Sequence, residues 1–71
     1  MNATDRRTWN ISEIAKATGL KRYVIATLIK ANRIPCAEFG NHTLIGEGGL
    51  ARLIPVLARY PGVDPSFVEK L

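Results

Sequence analysis

Cysteine and histidine occur once each, as Cys36 and His42. One thiol excludes an internal disulfide, and one thiol with one imidazole makes no metal site of the usual kind. Neither a metal nor a cofactor is expected. No apolar run approaches the roughly 18 residues that argue for a membrane span. The opening MNATDRRTWN has Arg6 and Arg7 but no apolar stretch behind them, unlike a secretory signal. The chain therefore reads as cytoplasmic. Paired carboxylates, a nucleophile with a nearby base and a phosphate loop are also missing, which points away from an enzyme. Cys36, within RIPCAEF, reads as a small buried or half-buried apolar residue. The most informative shortage is local. Between Ile14 and Ala37 there is no acidic residue, yet the interval holds Lys16, Lys21, Arg22, Lys30 and Arg33.

What is present describes one small folded domain. The chain has 71 residues, 46% of them hydrophobic, and a net charge of +4. A domain of that size buries only about 60% of its unfolded surface, so its core is thin. The charge fits a nucleic-acid or other anionic partner, and its concentration in one interval fits better than the total does.

Local signals divide the chain. Residues 1 to 8 are polar and without period, as in an N-terminal arm. Asn10 and Glu13 form a capping box, and Trp9 stands where it can staple onto Ile14. The first helix runs from Ile11 to about Ala17, with Ile11, Ile14 and Ala15 inward, and stops at Gly19, which takes a left-handed backbone without steric cost. The second helix spans Arg22 to Ala31. Its positions 24, 25, 28 and 29 repeat at helical spacing and face inward. That leaves Tyr23, Ala26, Thr27 and Lys30 outward as one stripe. Asn32 is the expected left-handed cap.

Residues 34 to 45 read as a β-hairpin turning at Gly40-Asn41. Phe39, Leu44 and one of Ile34 or Cys36 are expected to face the helices. EGG reads as a hinge. A third helix follows from about Gly49 to Tyr60, with a kink or break at Pro55. Asp64 and Pro65 open a short tail helix to Leu71. The fold class is mainly α with a small β-hairpin: an arm at 1 to 8, a domain at 9 to 60 and a C-terminal extension at 61 to 71.

The order helix, glycine turn, helix, hairpin, helix is informative with its residues in place. WNISEIAKATGLKRYVIATLIKANRIPCAEFGNHTLI resembles the winged helix-turn-helix of the excisionase and MerR-type DNA-binding families. SEIAKATGL, LIKANRIP and the FGN tip carry the likeness. The DNA-binding part of phage terminase small subunits is a related domain. The resemblance implies double-stranded DNA as partner and Arg22 to Ala31 as a recognition helix in the major groove. Arg22 then takes a guanine edge or a phosphate, and Lys21, Lys30 and Arg33 take phosphates. Tyr23 offers its hydroxyl, and Ala26 and Thr27 permit close approach. Asn41, His42 and Thr43 lie on the wing, and Arg6 and Arg7 add arm contacts. Two positions depart from the family pattern: Lys21 stands where Ser or Thr usually caps, and the wing tip lacks Arg or Lys. The implied role is a transcription regulator, an excisionase-type architectural factor or the DNA-recognition part of a packaging protein. The rival reading is a protein-interaction module. In it the apolar run LARLIPVLARYPGVDPSFV pairs with another copy or another chain.

Overall fold

Capping chemistry sets where the first helix begins and ends. In the structure, a computed structural model describing residues 8 to 71, helix α1 spans Ile11–Thr18. The Asn10 side chain accepts from the Glu13 N–H at 2.8 Å, and the Glu13 carboxylate accepts from the Asn10 N–H at 3.0 Å. Gly19 closes the helix at φ 78°, its N–H donating to the Ala15 carbonyl at 2.8 Å. Helix α2, Arg22–Ala31, begins at Lys21 with no side-chain cap. It buries Ile25 and Ile29 and half-buries Val24 and Leu28. Asn32 does not take the left-handed conformation. Its φ is −102° and its amide donates back to the Leu28 carbonyl, so the left-handed turn falls on Arg33, at φ 52°.

The sheet has one strand more than the sequence signals announce. Strand β1 is Thr8–Asn10, β2 is Ala37–Phe39 and β3 is His42–Gly46; they are antiparallel in the order β1-β3-β2. The expected arm lies outside the described residues except for Thr8, which pairs with Gly46. Trp9 opposite Ile45 and Phe39 opposite His42 fix which face is which. Paired residues share a face and neighbours along a strand alternate. Trp9 and Ile45, both buried, therefore define the inner face, and Ala37, Phe39, His42 and Leu44 belong to the outer one. The expectation that Phe39 and Leu44 face the helices is one residue out of register, and a slip of one flips every side chain. Phe39 is 62% exposed. Cys36 is exposed too, against expectation, while Ile34 is buried ahead of β2.

Helix α3 spans Glu47–Ala58 as one element, so EGG is its first turn and Pro55 lies within it. Pro55 and Ala51 are both exposed. The carbonyl that Pro55 leaves without an amide partner therefore sits on the solvent side, where water can satisfy it. Gly49 is required by contact: a Cβ there would lie 2.4 Å from the Pro35 carbonyl oxygen and 2.9 Å from Ile45 Cγ2.

Asp64 caps a 3₁₀ helix, Pro65–Lys70, instead of an α-helix, by accepting from the Ser66 N–H at 2.9 Å. The segment belongs to the core. Phe67 is buried in the same core as Trp9, Ile14, Ile25, Leu53 and Leu57, and the Trp9 indole N–H donates to the Leu71 carbonyl at 3.3 Å. Trp9 thus anchors a strand and the C-terminal segment. The apolar residues of the C-terminal run are largely used inside this chain, since Leu50, Leu53, Leu57 and Phe67 are all buried.

Among the described residues there are three α-helices, one 3₁₀ helix and three strands. None of these helices is long and apolar enough to cross a membrane.

Candidate nucleic-acid interface

Two elements converge on one open groove. The exposed side of α2 contributes Arg22, Tyr23 and Ala26; the hairpin tip contributes Asn41, His42 and Thr43. The N-terminus of α1, through Asn10, Ile11 and Ser12, forms its end wall, and the groove holds about 510 Å³. No acidic side chain lines it.

Helical periodicity determines which α2 side chains arrive there. Burying Ile25 and Ile29 turns the opposite stripe outward, and Tyr23 is 69% exposed. The Arg22 guanidinium donates to the Ser12 hydroxyl at 3.4 Å, which draws it towards α1 at the groove's end. The Thr27 hydroxyl donates to the Tyr23 carbonyl at 2.8 Å. One polar function of Thr27 is therefore spent on its own helix.

Five of the nine sequence-predicted site residues meet in this groove: Arg22, Tyr23, Ala26, Asn41 and His42. The other four do not line it. Lys21 lies beside Lys16 and Arg22 on a shallow depression across the α1–α2 turn. Thr27 lines a smaller depression on the far side of α2. Lys30 and Arg33 are exposed further along, at the end of α2 and just beyond it. All five cations of the acid-free interval are exposed. Asn10 and Ser12 were not expected at the site, and their only sequence signal was membership of the capping segment. Tyr60, which lines the smaller depression with Thr27, gave no signal beyond its place in YPG.

The acid nearest this surface in sequence is Glu13, and its carboxylate is engaged by the capping box. The arrangement is chemically suited to an anion with flat, hydrogen-bonding edges. A guanidinium, a phenol, an amide and an imidazole flank a small residue, Ala26, that allows close approach. Among the described residues, no group of three or more His, Cys, Asp or Glu side chains is placed to hold a metal ion.

No family model, curated protein or solved structure matches this chain.

Proposed function

We propose that this chain is a winged helix-turn-helix domain that binds double-stranded DNA, with α2 in the major groove and the β2–β3 hairpin as the wing. The observation that carries the reading is the acid-free groove in which Arg22, Tyr23 and Ala26 of α2 meet the hairpin tip. The exposed cations Lys16, Lys21, Lys30 and Arg33 surround the outward stripe of α2. Phosphate contacts fix the register and base-edge contacts specify the site. In this reading Arg22 takes a guanine edge or a phosphate, Tyr23 and His42 donate to the backbone, and Ala26 admits the helix. The domain acts as a transcription regulator or an excisionase-type architectural factor.

The test is a duplex titration over a salt series. About five phosphate contacts give a slope of log K against log salt of roughly −4 to −5. Replacing Arg22 and Lys30 together by Ala should reduce affinity by at least tenfold, with the melting temperature almost unchanged because both side chains are exposed. Absence of duplex binding at low salt, or binding indifferent to salt, rejects the reading.

A second reading has its own observation. Phe39 and Ala37 lie exposed on the outer face of the sheet, on an edge strand. With Pro35, Cys36 and Leu44 they line one apolar depression, and such a patch favours a protein contact. Replacing Phe39 by Ser separates the two: it should leave DNA affinity intact and abolish any partner binding.

A further inference from the structure

Helix α2 is flanked by two depressions, and Tyr23 lines both. The first is the groove shared with the hairpin tip. The second, of about 210 Å³, lies between α2 and Tyr60, just beyond α3. Half-buried Val24 and Leu28 form its apolar part, and exposed Tyr23 and Thr27 stand beside them. The two sets of α2 positions belong to opposite flanks of the helix. At 3.6 residues per turn, 22 and 26 fall to one side of Tyr23, and 24, 27 and 28 to the other.

That placement has a geometric consequence. A helix with its side chains is about 10–12 Å across, and the major groove of B-DNA is about 12 Å wide. A helix seated there has one sugar–phosphate strand along each flank. We propose that the second depression receives the backbone of the strand opposite the one beside the hairpin, with the Tyr60 hydroxyl donating to a phosphate. The inference rests on the DNA-binding reading and adds the contact on the second strand.

The chemistry of the depression supports this occupant. Val24 and Leu28 offer an apolar surface suited to a deoxyribose ring. The Thr27 hydroxyl already donates to the Tyr23 carbonyl, so the tyrosine hydroxyls are the available donors. No carboxylate lines either depression. Exposed Arg59 precedes Tyr60 and counters the negative end of α3, which would otherwise repel a phosphate.

Tyr60→Phe removes only the hydroxyl and is the direct test. Fluorescence anisotropy with the preferred duplex and a scrambled one should show a loss of roughly five- to tenfold, equal for both. The salt slope should stay as it was, since tyrosine carries no charge. A scan of single methylphosphonates then identifies the phosphate. Its neutralisation should weaken the wild-type chain but not the Tyr60→Phe variant. It should lie on the strand opposite the phosphate coupled in the same way to the Asn41→Ala/His42→Ala variant. Unchanged affinity in Tyr60→Phe, no coupled phosphate, or coupling on the same strand overturns the inference while leaving the DNA reading in place. Altered self-association with intact DNA affinity, seen by sedimentation velocity, makes the depression a protein contact and also overturns it. A wild-type chain that binds no duplex rejects both together.

Discussion

The two helices of the N-terminal pair end in similar left-handed turns built on different residues. After α1 the turn falls on Gly19, at φ 78°; after α2 it falls on Arg33, at φ 52°. At the first, the Gly19 N–H donates to the Ala15 carbonyl, and the buried Thr18 hydroxyl donates to the Ile14 carbonyl and accepts from the Leu20 N–H at 3.3 Å. At the second, the Ile34 N–H reaches back to the Ile29 carbonyl at 3.0 Å and the Arg33 N–H to the Lys30 carbonyl at 3.3 Å. That is the paired pattern of a Schellman motif, with buried Ile34 and Ile29 as its apolar contact. A side chain in the left-handed region costs about 1–2 kcal/mol. The turn at Gly19 avoids that cost. The turn at Arg33 bears it, held by Ile34, and places a cation next to the α2 surface. In the proposed DNA-binding reading, that cation is available to a phosphate.

The largest effect should come from removing what holds the second turn. Ile34→Ala should cost about 2–5 kcal/mol. A domain this small has a total stability at the low end of the usual 5–15 kcal/mol range, so urea or thermal melts should show a large loss or an unfolded chain. A melt within 0.5 kcal/mol of wild type would mean that Ile34 does not hold the turn.

Next in size, Gly19→Ala should destabilise by about 1–2 kcal/mol through the backbone alone. Nothing lies within 4 Å of the added Cβ, so no packing clash contributes. The reverse change, to glycine at the other turn, should have the opposite sign. Arg33→Gly should stabilise by about 0.5–1 kcal/mol, the relief of strain less the entropy of the glycine. It should also weaken duplex binding and make the salt slope shallower by about one. If Arg33→Gly leaves the salt slope unchanged, the charge at that turn has no part in binding. If it destabilises, the Arg33 backbone carries no strain that glycine relieves.

The smallest effect concerns a cap at a helix start and serves as a contrast to both turns. The hydrogen bond from the Ser66 N–H lowers the Asp64 carboxyl below its usual range. A lowered folded-state pKa stabilises the fold above the unfolded carboxylate's range, and that contribution is lost as pH falls through the folded value. Stability should therefore decline slightly on acidification. Asp64→Asn, followed by melts across the acid range, should flatten that part of the decline.

Much of the candidate site was legible because it lies on a helix. The positions that bury Ile25 and Ile29 fix the outward stripe of Tyr23, Ala26, Thr27 and Lys30 by periodicity alone, whereas Arg22 is exposed as the first residue of the helix. Its partners were only partly legible. The hairpin tip was identified from Gly40-Asn41, but sequence spacing does not show that Asn41 and His42 share a groove with Arg22. Tyr60 could not be placed, because its position depends on how α3 packs. Asn32 and Arg33 were misassigned by one residue because asparagine is the commoner left-handed cap, whereas the burial of Ile34 decided the geometry.

The sequence by itself determined the start and stop of α1, the span of α2 and the hairpin turn. These are closed by hydrogen bonds and backbone preferences among residues a few positions apart, which neighbours alone can specify. The tertiary structure decided the pairing of β1 with β3, the outward parity that leaves Phe39 exposed, the uninterrupted run of α3 through Pro55 and the bond from Trp9 to Leu71. Each depends on which distant surface covers a residue. Alternation along a strand says that neighbours face opposite ways, and only packing says which of them faces in.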